Sequence, residues 1–388
     1  MFKETALACL FDVGGLIAGF TIALQLGVFQ LSPWAIALYP AVVSVKGVIT
    51  GLLTGRLSTA LHLGTVYPKF FGNTRTFYRL IGAMVVLTLA TSATISAIAI
   101  VFGTLFWGIG VSDFPAILTV MAATLSLGLL ITLITVKFTF ISFKSSLDPD
   151  TIVYPAISTV ADIIITFIYI GVLNLYFRTG AVGQWAIIIF GLINVFLVLI
   201  IIPRNFREGE FLKIIIESLP TMLLVALMVN ITGTVLKGIS NLAAGRRQIY
   251  TVYPAMIDMM GDVGLVVGSA ATTKLALGVL SPSYSSIKNH AKNIFSAWTA
   301  SLVLFGVLGL LSLAINGIFS LQGISILLLI LFVSNIIAFT AITLVSYAIS
   351  ILTFKRGLDP DNFVIPVGSA LADVITTIAL FVALLLII

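Results

Sequence analysis

Two aspartates sit where a carboxylate is costly. Asp162 lies in LDPDTIVYPAISTVADIIITF, which runs from Leu147 to Phe167, and Asp373 lies in the near copy LDPDNFVIPVGSALADVITTI, from Leu358 to Ile378. An ionised carboxylate at the centre of a bilayer costs about 2.5–3.5 kcal/mol on insertion scales, so such a residue normally faces a polar cavity or a partner. An ion pair with a buried lysine, or a protonated side chain bonded to Ser or Thr, would satisfy that need without any function. The duplicated position favours a working role: two carboxylates facing one another across a cation path.

A second pair supports the same chemistry. Asp258 and Asp262 are four residues apart, on one face of a helix. Their matching positions in the first copy are Ser44 and Val48, with Lys46 between them, so the site is not symmetric. Lys46 reads either as a tethered cation that neutralises Asp258 or Asp262, or as a structural ion-pair partner. Asp162, Asp373, Asp258, Asp262 and Lys46 together leave three net negative charges if all are ionised, a state that calls for a cation. The nearby donors are hard oxygens: Ser158, Thr159, Thr166, Ser369, Thr376, Thr377 and exposed carbonyls. No cysteine pair, histidine cluster or methionine stripe competes, which disfavours Zn or Cu and suits Mg, Ca or Mn. Mg²⁺ sheds water reluctantly and is held by one or two carboxylates, so it is the expected transported ion. No cofactor is implied.

These residues need helices to carry them. Asp148-Pro149-Asp150 and Asp359-Pro360-Asp361 read as helix starts, with aspartate as N-cap, proline in the first turn and a second acid at the positive end of the dipole. Asp162 and Asp373 stand fourteen residues beyond those caps, about 21 Å along the axis at ~1.5 Å per residue. Pro155 and Pro366 fall seven residues before them and would remove a backbone bond, either freeing a carbonyl toward a pore or simply bending the helix. Gly47 and Gly261 match in the other motif; with Gly51, Gly55, Gly264 and Gly268 they suit close helix packing, or backbone approach to a hydrated ion.

The whole chain fits that setting. Its 388 residues are 60% hydrophobic and only 9% charged, against about 25% charged in an average soluble domain. Apolar runs of ~20 residues recur throughout, each able to cross a bilayer core. No polar stretch is long enough for a soluble domain, which excludes a nucleotide-hydrolysing motor. The net charge of +6 reflects basic helix ends rather than nucleic-acid binding. Cys9, the single cysteine, excludes an internal disulfide and reads as packing. His62 reads as satisfied by its neighbours, Lys137 and Lys274 as snorkelling near helix ends, and Asp12 as a weak site candidate.

The pattern predicts an all-α polytopic membrane protein with about eleven spans, near 5–28, 34–64, 78–108, 114–142, 149–177, 183–203, 211–236, 249–280, 291–318, 322–350 and 360–388. Lys and Arg concentrate on one set of ends, which places the N-terminus in the cytoplasm and the C-terminus outside, in a plasma membrane; Arg246 and Arg247 fit this badly. YPAVVSVKGVITGLLTGRLSTALHLG (39–64) returns as YPAMIDMMGDVGLVVGSAATTKLALG (253–278), an offset of 214 from Tyr39 to Tyr253; the aspartate motifs repeat at 211. Two matches at nearly one offset indicate duplication. The expected organisation is a five-helix repeat over 1–180, a linking span over 181–205 and a second repeat over 206–388. An odd repeat plus one linking span gives parallel copies related by a pseudo-two-fold axis along the membrane normal. One chain then suffices for both halves of the path.

Through PAVVSVKGVITGLLTGRLSTA, PAMIDMMGDVG and the two LDPD…P…AD helices, the sequence resembles the divalent-cation transporters of solute-carrier family 41 and the related MgtE magnesium channels. The resemblance covers both five-span units. It implies that the second and fifth helices line the ion path and that the fifth-helix aspartate, here Asp162 and Asp373, binds the ion. The family's second helix often carries Gly-Asn, replaced here by Gly47-Val48 and Gly261-Asp262, and the cytoplasmic regulatory domains of MgtE-type channels have no counterpart. Some members exchange sodium for magnesium, and Asp258 and Asp262 are compatible with Na⁺ as a second cation. Two other readings compete. An ion-coupled carrier of an organic solute would need a roomy site rich in convergent polar groups. An intramembrane aspartyl protease would need Tyr-Asp and Gly-x-Gly-Asp, which Asp162, Asp373 and Gly261-Asp262 do not supply. The partners implied are membrane lipid and the cation.

Overall fold

The computed structural model describes residues 2–145, 154–243, 245–355 and 360–388. Among them every regular element is helical, as expected where lipid offers the backbone no hydrogen-bond partners. In chain order the helices are α1 (Phe2–Ala8), α2 (Gly15–Leu24), α3 (Leu26–Phe29), α4 (Pro33–Ala37), α5 (Tyr39–His62), α6 (Arg75–Phe102) and α7 (Phe114–Lys144). They continue with α8 (Tyr154–Arg178), α9 (Gly180–Asn205), α10 (Gly209–Leu242), α11 (Arg247–Ala276), α12 (Ile287–Ile315), α13 (Leu321–Lys355) and α14 (Pro360–Ile387). Ten of the described helical segments are long and apolar enough to cross a membrane, close to the eleven expected. This is a multi-pass membrane protein.

The difference lies at the N-terminus. A single span over 5–28 was expected, but α1 ends at Ala8, a 3₁₀ turn covers Phe11–Gly14, and α2 is too short to cross alone. Buried Asp12 and the Gly14-Gly15 pair fall at the break, where a charge and two weak helix formers interrupt an otherwise apolar run. The matching stretch of the second copy, α10, is continuous. Asp148, Pro149, Asp150 and Asp359 lie outside the described residues. Pro155 stands in the first turn of α8 and Pro366 in the second turn of α14.

The chain forms two compact units: Gln25–Thr234, and Met1–Leu24 together with Val235–Ile388. In the first, α5 packs against α6, α7 and α8; in the second, α11 packs against α12, α13 and α14. The same neighbours recur at matching places. The first helices follow another rule, since α1 and α2 pack with the second copy and α10 belongs to the unit of the first copy as far as Thr234.

Glycine makes both of these contacts possible. A Cβ on Gly19 would overlap the Thr251 carbonyl, and a Cβ on Gly233 would overlap that of Ala37. Gly233 lies 214 residues after Gly19, and Thr251 lies 214 after Ala37. The same close approach is therefore made twice, each time between the first helix of one copy and the chain around the start of the second helix of the other. Small residues are what allow membrane helices to come this near.

Candidate cation site

Each unit holds a copy of one construction. In one, the Tyr39 hydroxyl and Thr166 Oγ1 are 3.0 Å apart, and Thr166 donates to the carbonyl of Asp162 at 2.6 Å. In the other, Tyr253 and Thr377 are 3.0 Å apart, and Thr377 donates to the carbonyl of Asp373 at 2.7 Å. The tyrosines begin α5 and open the Tyr-Pro-Ala motif of α11. The threonines lie one turn beyond the aspartates on α8 and α14. Both tyrosines and both threonines are buried. Sequence reasoning quoted the Tyr-Pro-Ala motif without giving the tyrosine a role; its identical place in both copies was the available signal.

Asp162 is 2% exposed and Asp373 6%. About two turns into α5, the 4%-exposed Lys46 donates to Asp162 Oδ1 at 3.0 Å and to the Ser158 carbonyl at 3.3 Å. Of the roles weighed for Asp162, the structure shows the ion pair with a buried lysine. Of the two roles weighed for Lys46, the structure shows the ion-pair partner, and its carboxylate is Asp162, which the packing of α5 against α8 brings to it. Among the described residues Asp162 Oδ2 has no hydrogen-bond partner. A cavity of about 10 Å³ adjoins Lys46, lined also by Thr50, Thr88 and Thr132.

At the place of Lys46 the second copy has Met260. There α11 packs against α14 and brings Asp258 and Asp373 within electrostatic range of the Tyr253 hydroxyl. Asp262, one turn along α11, and Asp12, from the broken first segment, both lie within electrostatic range of the Cys9 thiol. Cys9 itself is buried and contacts the Met259 carbonyl at 3.7 Å, a packing role. Asp258 and Asp262 are half-buried. Among the described residues no three His, Cys, Asp or Glu side chains converge into a ready metal cage.

The remaining candidates spread around these centres. Ser44 and Gly47 are half-buried on α5, Gly261 is buried on α11, and Ser158 and Ser369 are half-buried on α8 and α14. His62 Nδ1 donates to the Ser58 carbonyl, 2.9 Å away, and the ring lies edge-on to Phe143; it is satisfied locally.

The family model of the divalent cation transporter MgtE matches residues 39–172 and 253–383. The chain belongs to the MgtE family. The two matched stretches open on Tyr39 and Tyr253, the tyrosines of the repeated hydrogen bond, and each contains one of the two buried aspartates. MgtE proteins are divalent cation transporters. No curated protein and no solved structure matches the chain.

Proposed function

We propose that this protein moves Mg²⁺ across the membrane, and that Asp258, Asp262 and Asp373 draw the hydrated ion into the apolar span. The observation that carries this reading is the packing of α11 on α14, which sets Asp258 and Asp373 about one buried tyrosine, Tyr253. Carboxylate and hydroxyl oxygens are the donors that a hard cation prefers, and half-buried acids leave room for the water that Mg²⁺ retains. Asp262 lies one turn further along the same helix and extends the negative charge; it is the group that would take Na⁺ if a second cation is coupled. Asp162 stands apart, because Lys46 already neutralises it.

Proteoliposomes holding the purified protein and a Mg²⁺-sensitive dye test this. Wild-type vesicles should take up Mg²⁺, and Asp373→Asn should lower the rate at least tenfold. Uptake by folded Asp373→Asn protein at the wild-type rate would remove this residue from the path.

A further inference from the structure

We infer that Lys46 is a resident cation that takes the metal's place in the first copy, so that only the second copy carries an exchangeable divalent ion. This rests on the transport reading above and specifies where in the chain it is exercised. The two copies share the tyrosine–threonine hydrogen bond, the threonine bond to the aspartate carbonyl and the buried aspartate itself. They differ in charge at three matching positions, Ser44, Lys46 and Val48 against Asp258, Met260 and Asp262: the first copy gains a cation and the second gains two acids. The ammonium lies between a carboxylate oxygen and a backbone carbonyl, Asp162 Oδ1 and Ser158 O, at 3.0 and 3.3 Å. Those are the donor types that a hard cation would use.

Space gives the same answer. The cavity beside Lys46 measures about 10 Å³, roughly the room of one water molecule, whereas Mg²⁺ normally keeps several waters. A lysine with 4% of its surface exposed and a carboxylate 3.0 Å away is held as part of the interior. The chain thus carries one fixed positive charge beside Asp162 and one exchangeable one in the second copy, and a two-copy carrier becomes a one-site carrier.

Binding of Mn²⁺ to the purified full-length protein, followed by titration calorimetry, separates the possibilities. Wild type should bind one Mn²⁺ per chain. Lys46→Met, which puts the second copy's residue at this one position, should bind two, and its melting midpoint should rise with Mn²⁺ more than that of wild type. The double variant Lys46→Met/Asp162→Asn removes both charges together; it should bind one Mn²⁺. If Lys46→Met does not fold, the double variant decides alone. A folded double variant that binds no Mn²⁺, or Lys46→Met that still binds only one, would overturn the inference. Failure of the transport reading looks different: wild type itself would then move no divalent cation, whatever residue stands at position 46.

Discussion

Replacing Gly19 or Gly233 by alanine adds one methyl group where two segments almost touch. The new carbon would stand 2.6 Å from the Thr251 carbonyl carbon in the first case and 2.9 Å from that of Ala37 in the second, with the carbonyl oxygens closer still. Comfortable carbon–carbon contact is about 3.5–4.0 Å, so each helix must withdraw by roughly 1 Å. The obstacle is backbone and cannot rotate away, which puts the cost near the upper end of the ~1–3 kcal/mol usual for overpacking. Alanine's better helix propensity returns no more than about 1 kcal/mol of this. Thermal denaturation in detergent should show both variants melting several degrees below wild type. Gly171→Ala is the control, because a Cβ there meets nothing within 4 Å, and it should melt at or above the wild-type midpoint. Matching behaviour of Gly19→Ala, Gly233→Ala and Gly171→Ala would refute the exchange of first helices between the copies.

Other outcomes follow from the same geometry. Tyr39→Phe and Tyr253→Phe each delete one buried hydrogen bond of the same length, so each should cost about 0.5–1.5 kcal/mol, and by similar amounts; a large inequality in melting would show that the two copies are not built alike. Lys46→Ala strands the Asp162 carboxylate and should cost ~3–5 kcal/mol in the presence of chelator, with most of that stability returned when Asp162→Asn is added. Arg79 pairs with Glu208 at 2.6 Å and Glu210 at 3.8 Å, yet both acids are well exposed, so Arg79→Ala should change stability by no more than about 1 kcal/mol as measured by the same melt.

Hydropathy and repetition made much of the fold readable. Apolar runs of bilayer length must become helices, because lipid cannot bond the backbone, and the spans of the described residues fall close to those expected. Charged residues inside such runs are few, so Asp162, Asp373, Asp258, Asp262 and Lys46 stood out at once. The first segment was less legible. Its composition is that of a span, and the interruption at Asp12 and Gly14-Gly15 depends on where α2 can lie against α11. Cys9, read as packing, fits that arrangement.

Sequence alone determined that the chain crosses a membrane repeatedly, that two of its motifs recur, and that one of them carries an aspartate within an apolar run each time. These follow from residue type and order, which fix solvent preference and periodicity. Only the tertiary structure decided which charge meets which. Lys46 and Asp162 are 116 residues apart, and nothing in their spacing distinguishes that partner from Asp258 or Asp262. Charge pairing acts over a few ångströms, and the packing of α5 on α8 brings Asp162 within that reach.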